Sequence, residues 1–197
     1  MSRPGLPYRY SSLPDGSVRL LKLIPHWDEQ AQIQCSLFTC PVLVSGGTSH
    51  PFEALSYVWG IPDRTHFVCI DNCYLPITAS LHAALSRLRD SFIDRILWAD
   101  AICINQHDLG EGAQQIQCMA TIYAKASRVL VWLGEEGSDS SLALETIHRA
   151  ADKRYRLGED DDPEHGGADA VGCRNACLLA LIERPWFRRI WVRYLLL

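Results

Sequence analysis

The residue whose position most strongly suggests chemistry is Asp100, a carboxylate inside the otherwise apolar run 96–104. A lone buried carboxylate is costly unless it is paired or hydrogen-bonded. Groups held in such surroundings cluster in functional clefts, so Asp100 is a candidate ligand-binding residue. The alternative is a structural role, in which Asp100 pairs with an arginine or with backbone amides.

Two further groups of candidate ligand-binding residues lie where predicted strands end. Tyr57, Trp59 and Gly60 close one apolar run, and Asn105 and Gln106 close another. An aromatic ring at a strand end can stack on a base or on a nicotinamide ring. The simpler alternative is that Trp59 packs beneath the loop that follows. The two amides either contact a ligand in the crevice beyond the strand ends or cap the next helix.

Glu111 is the remaining carboxylate near this predicted edge, which makes it the candidate catalytic residue. Its alternative role is to place negative charge in the first turn of a helix. Cys103 and His107 are residue types found in nucleophilic dyads. A dyad also needs spatial contact and a third, orienting group, and the sequence shows neither.

The eight cysteines of the chain include no CxxC pair. Structural zinc sites show tighter and repeated pairs, so no metal site is predicted. The chain carries no recognisable secretory signal, which makes disulfides unexpected. We expect the thiols to be reduced and to pack as small apolar residues.

The elements that would position the candidate residues alternate between strands and helices. Apolar and β-branched runs predict strands at 54–59, 96–104 and 129–133, with a hairpin at 67–77. Helical periodicity predicts helices at 78–89, 111–126 and 141–151. This alternation predicts an α/β fold, in which a parallel sheet with right-handed crossovers is flanked by helices.

The two ends of the chain differ from this central block. Residues 1–50 are predicted to form a β-rich N-terminal extension with a strand at 33–44. Residues 51–197 are predicted to form the main domain. Within it, the acidic, Gly-rich stretch 152–172 is predicted to be an exposed loop.

Composition excludes several classes of partner. The formal charge of -4, without a run of Lys or Arg, argues against nucleic acid. No stretch reaches the roughly 18 apolar residues that a membrane span needs, so no membrane association is predicted. We therefore expect a cytoplasmic protein.

Several segments carry a family pattern, in order and at consistent spacing. They are 52–60, 77–89, 97–106, 131–134 and 184–192. Together they resemble the heterokaryon incompatibility (HET) domain of filamentous fungi, and the most specific match is LWADAICINQ at 97–106. The resemblance implies a role in nonself recognition and regulated cell death signalling. It also implies self-association, or other HET-domain and incompatibility proteins as partners.

HET domains are similar to Toll/interleukin-1 receptor (TIR) domains, so the resemblance implies a flavodoxin-like, TIR-like sheet. Some TIR-type domains cleave NAD at the nicotinamide bond. NAD is thus a candidate substrate, and no cofactor is required. A carboxylate in such a site can stabilise an oxocarbenium-like ribosyl centre, as in glycoside hydrolysis.

The end of the chain departs from the family pattern. The family's late signature, Trp-Val-any-Gln-Glu, here has Tyr194 and Leu195 in its last two positions. A leucine supplies no carboxylate, which implies weak or absent catalysis or a truncated C-terminus. The alternative function is therefore a catalytically silent interaction module that associates with full-length HET or TIR-like proteins.

Overall fold

The structure is a computed structural model that describes residues 5–41, 50–137, 140–155 and 168–189. The strands are β1 (Val18–Leu23), β2 (Gln34–Cys40), β3 (Glu53–Tyr57), β4 (His66–Ile70), β5 (Cys73–Ile77), β6 (Arg95–Trp98) and β7 (Arg128–Trp132). The helices are α1 (Ala79–Leu88), α2 (Asp100–Cys103), α3 (Leu109–Lys125), α4 (Ser140–Tyr155) and α5 (Ala168–Ile182), followed by a 3-10 turn at Pro185–Arg188. The chain divides into two compact units, Met1–Gly134 and Glu135–Leu197.

The first unit is built on a seven-stranded sheet in the order β5-β4-β2-β1-β6-β3-β7. Strands β6, β3 and β7 run parallel, as do β2 and β4. In contrast, β1 is antiparallel to both of its neighbours, and β4 is antiparallel to β5. The fold is α/β as predicted, but the prediction of a parallel sheet was wrong because the sheet is mixed. Short connections such as those joining β1 to β2 and β4 to β5 favour antiparallel pairing, since parallel pairs need a longer crossover.

Strand β1 lies inside the sheet and carries much of its core. It pairs with β2 on one side and with β6 on the other. Residues 1–50, which were predicted to form a separate N-terminal extension, therefore contribute β1 and β2 to the same sheet as the later strands. Leu20, Leu21 and Leu23 are fully buried. A strand covered on both faces reads as a near-continuous apolar run, which describes Val18–Leu23.

The apolar run 96–104 was predicted as one strand, and this was wrong. Strand β6 ends at Trp98, and α2 begins at Asp100. The Asp100 Oδ1 atom accepts a hydrogen bond from the backbone N–H of Ala101 at 2.8 Å, which favours the start of a helical turn. Ile102 is still fully buried, so the run is apolar without being extended. Periodicity alone does not separate a short buried helix from a strand.

Local signals predicted α1 and the β4–β5 hairpin, and both are confirmed. The Thr78 side chain caps α1 by accepting from the backbone N–H of Leu81. Asp71 and Asn72 have positive φ values of 49° and 63°, which are typical of a tight hairpin turn between strands. The strand predicted at 129–133 is confirmed as β7, but it lies at the edge of the sheet and its Val131 side chain is exposed.

The second unit contains α4, α5 and the 3-10 turn. Arg184, which follows α5, connects to the residues around the start of α4. It donates to the carbonyl of Glu135 at 3.0 Å and to the Ser140 hydroxyl at 2.7 Å. Within the predicted loop 152–172, residues 152–155 and 168–172 are helical instead. The intervening acidic residues lie outside the described part of the chain. No helix among the described residues is long and apolar enough to cross a membrane.

Candidate functional site

The carboxyl ends of the parallel strands β6, β3 and β7 meet at one edge of the sheet. The chain leaves β3 towards the β4–β5 end of the sheet and comes back through α1 as its neighbour β6; it then leaves β6 in the other direction and passes β3 to become β7. Where successive connections run in opposite directions like this, an open α/β sheet forms a crevice in which ligands bind. We call this the β3–β6 crevice, defined by Trp59 and Gly60 after β3 and by Asp100 after β6.

A hydrogen bond links the two sides of the crevice. The indole Nε1 of Trp59 donates to Asp100 Oδ2 at 3.0 Å, and the backbone N–H of Ala101 donates to Oδ1 at 2.8 Å. Both side chains remain partly exposed. Asp100 therefore lies where β6 ends and has a backbone amide partner, as its structural alternative predicted.

The backbone after β3 is held in one conformation. Gly60 has a positive φ of 73°, a region that residues with a side chain rarely adopt. The Ser80 hydroxyl, in the first turn of α1, donates to the Val58 carbonyl at 2.7 Å. Tyr57, a candidate ligand-binding residue, is only 1% exposed, so it packs in the core and offers no surface to a ligand.

The two predicted amides differ in their surroundings. Gln106 Nε2 donates to the Asp100 carbonyl at 3.0 Å and so fixes α2 beside the crevice. The side-chain oxygen of Asn105 accepts from the backbone N–H of His107 at 3.2 Å, which is a local turn contact of the kind expected of a cap. The contacts therefore tie Gln106 to the Asp100 segment and Asn105 to the turn before α3.

Glu111 lies in a buried ion pair with Arg19 of β1. Arg19 Nη1 donates to Glu111 Oε1 at 2.5 Å, and Nη2 donates to Oε2 at 2.9 Å. The backbone N–H of Asn105 donates to the same Oε1 at 2.7 Å. The two side chains are 3% and 9% exposed. These three hydrogen bonds orient the carboxylate towards β1 and the turn before α3.

Arg19 is a residue that the sequence reasoning missed. It also donates to the carbonyls of Ser11 and Cys103, at 2.6 Å and 3.3 Å, and its guanidinium lies 5.0 Å from the ring centre of Tyr10. Burial, the largest single effect, lowers the pKa of Arg19, but the hydrogen bonds and the negative charge of Glu111, together with Tyr10 and Tyr8, outweigh it, so the pKa is raised. The sequence did contain a signal for this ion pair, which was an arginine within an apolar strand. A buried charge requires a partner, so such an arginine predicts a buried carboxylate beside it.

The structure disfavours a Cys103–His107 dyad. Cys103 is 1% exposed, and its Sγ accepts from the backbone N–H of Ala99. Burial raises the pKa of the Cys103 thiol to about 12, so the nucleophilic thiolate is scarce at neutral pH. Among the described residues, no group of three or more His, Cys, Asp or Glu side chains could hold a metal ion. The late signature positions Tyr194 and Leu195 lie outside the described residues.

Comparison with known proteins identifies the family. The sequence model of the family described as "Heterokaryon incompatibility protein (HET)" matches residues 52–193, most of the chain. The chain is also 29% identical to the Neurospora crassa protein named "Heterokaryon incompatibility protein 6, OR allele". That alignment covers 90% of this chain but only 31% of the relative. No solved structure matches the chain. The chain belongs to the heterokaryon incompatibility (HET) family.

Proposed function

We propose that this chain acts in heterokaryon incompatibility, as a cytoplasmic component of nonself recognition and regulated cell death signalling. Membership of the HET family and the name of the Neurospora crassa relative support this role. The chain spans about a third of that relative's length, with 31% of it aligned. The proposal therefore concerns the task of the HET domain within such a protein. Its partners are other HET-domain or incompatibility proteins, or further copies of itself.

We further propose that the β3–β6 crevice binds a nucleotide, with NAD as the leading candidate. The observation that carries this proposal is the 3.0 Å hydrogen bond from Trp59 Nε1 to Asp100 Oδ2 at adjoining strand ends. The bond presents a partly exposed aromatic ring beside a carboxylate. An indole can stack on a nicotinamide or adenine ring, while a carboxylate accepts from ribose hydroxyls. The parallel strands β6, β3 and β7 also support the proposed likeness to TIR domains.

The contacts of Glu111 favour binding without cleavage. A catalytic carboxylate must reach the reacting centre, whereas that of Glu111 is held by Arg19 and by the Asn105 amide. Leu195 supplies no substitute at the position where the family pattern has glutamate. The second candidate function, a catalytically silent interaction module, follows from this observation. In the combined proposal, a bound nucleotide is a ligand that regulates association and is not turned over.

The test is a calorimetric titration of the purified chain with NAD, together with chromatographic analysis for free nicotinamide. We expect saturable binding without nicotinamide release. Trp59→Phe removes the indole donor of this bond, and Asp100→Asn removes the negative charge of its acceptor, so each should weaken NAD binding about tenfold or more. Asp15→Asn, at an exposed turn residue, is the matched control and should bind as the unaltered chain does.

Two results would overturn parts of this proposal. If NAD does not bind to the folded chain, nucleotide binding is refuted and only the interaction-module function remains. Nicotinamide release that disappears in Glu111→Gln, with folding retained, restores Glu111 as the catalytic residue.

A further inference from the structure

Three large apolar side chains project into solvent at the opposite end of β6 from the crevice. Trp27 is 78% exposed, Phe92 is 87% exposed and Ile93 is 67% exposed. Trp27 lies between β1 and β2, and the other two lie just before β6. We call this surface the Trp27–Phe92 patch, defined by these three residues. Exposed aromatic residues that lie together commonly mark an interaction site, whereas scattered single ones need no explanation.

The two loops that carry the patch are bonded to each other. The backbone N–H of His26, next to Trp27, donates to the carbonyl of Asp90, two residues before Phe92, at 3.0 Å. Arg89 reaches from the end of α1 into the first loop, where its Nη1 donates to the Ala31 carbonyl at 2.8 Å and its Nη2 to the Glu29 carbonyl at 2.8 Å. These contacts hold Trp27 and Phe92 on neighbouring backbone segments.

The second loop is also fixed from within. Asp90 Oδ1 accepts from the backbone N–H groups of Phe92 at 2.7 Å and of Ile93 at 3.1 Å. The Trp27 ring stacks on the His26 ring, with 5.7 Å between the ring centres. A surface whose backbone is already ordered loses little conformational entropy when a partner binds. The patch is therefore preorganised rather than a flexible tip.

The charges around the patch are mostly negative. Asp28 and Glu29 follow Trp27, and Asp90 precedes Phe92. Arg89 is a positive group beside them, and its partly buried guanidinium is engaged by the carbonyls of Ala31 and Glu29. Backbone amides of Phe92 and Ile93 lower the pKa of Asp90, so this carboxylate stays ionised at neutral pH. Asp94 is the exception, because Lys22 pairs with it at 2.5 Å.

We propose that the Trp27–Phe92 patch binds a basic, amphipathic segment of a partner protein. The apolar face of that segment packs on Trp27, Phe92 and Ile93. Its Lys or Arg side chains meet Asp28, Glu29 and Asp90 at the rim. Aromatic anchors inside a charged rim are the usual anatomy of a binding hot spot. A symmetric contact with a second copy would instead bring these carboxylates face to face, which is unfavourable.

The test uses two synthetic helical peptides of equal length and equal leucine content, one with Leu and Lys and one with Leu and Glu. Each is labelled with fluorescein and titrated with the full chain while its anisotropy is measured. We expect the Lys peptide to bind and the Glu peptide not to bind. Trp27→Ser and the pair Asp28→Lys and Glu29→Lys should each weaken binding by about tenfold or more. Leu6→Ser, at a residue 76% exposed elsewhere, is the matched control and should leave binding unchanged.

Because Trp27, Asp28 and Glu29 are exposed or partly exposed at the surface, these variants should melt at the same temperature as the unaltered chain. Equal binding of both peptides, or Lys-peptide binding that survives Trp27→Ser and the charge reversal, contradicts the proposal. Two further outcomes also overturn it. A dimer in sedimentation that Trp27→Ser dissociates makes a second copy the occupant. Binding to phosphatidylcholine vesicles that Trp27→Ser abolishes makes it a membrane.

Discussion

Replacement of Glu111 by glutamine should strongly destabilise the first unit. The substitution keeps the size of the side chain but removes the charge that compensates Arg19, whose side chain is 3% exposed. Loss of one partner of a buried ion pair costs about 3–5 kcal/mol. Arg19 keeps its bonds to the carbonyls of Ser11 and Cys103, so we expect a value near the lower end, about 3 kcal/mol.

The assay is urea unfolding followed by circular dichroism, which gives the free energy of unfolding for each variant. The double variant Arg19→Met with Glu111→Leu should be less destabilised than the sum of its single changes, because it leaves no unpaired buried charge. Glu145→Gln is the matched control. Glu145 pairs with Arg149 at an exposed helical position, and its loss should cost no more than about 0.5 kcal/mol. If Glu111→Gln is no more destabilising than this control, the structural role of Glu111 is refuted.

The remaining predictions concern two glycines, a histidine and a cysteine. An added Cβ at Gly112 meets nothing within 4 Å, so Gly112→Ala should stabilise α3 by about 0.5–1 kcal/mol in urea unfolding. Gly60→Ala forces a side chain into a positive φ of 73° and should destabilise by about 1 kcal/mol, and a neutral result would contradict the strained conformation. Burial, His66 and Arg89 lower the pKa of His82 below its ordinary value of 6.5. As the pH falls through 6.5, the folded chain then binds fewer protons than the unfolded chain, so the free energy of unfolding should decrease there. His82→Gln should flatten that pH dependence of stability. Mass spectrometry should show that iodoacetamide spares the buried Cys103 until the chain unfolds, and rapid native labelling would contradict the raised thiol pKa.

Elements with local signals could be predicted from the sequence. Thr78 in front of an apolar helical stripe predicts α1, and Asp71-Asn72 between β-forming runs predicts the β4–β5 turn. Strand-end reasoning placed Trp59 at the carboxyl edge of the sheet, whereas Asp100 was expected within a longer strand and reaches the same edge because β6 ends at Trp98. In each case the residues that determine the local structure lie within one strand or helix, or directly at its end.

Long-range pairing could not be predicted in this way. Arg19 and Glu111 are separated by 92 positions, and no local pattern identifies them as partners. The place of β1 beside β6 depends likewise on pairing across distant parts of the chain. The α2 turn was missed for a different reason, because a buried four-residue helix has the same apolar composition as a buried strand.

Nucleotide binding at the β3–β6 crevice is tested by calorimetric titration of NAD into the chain and into Asp100→Asn, with nicotinamide measured in the same samples. We expect saturable binding to the unaltered chain, weakened about tenfold or more in Asp100→Asn, and no nicotinamide release. Binding that is equal in both chains, or nicotinamide release that depends on Glu111, would contradict this expectation.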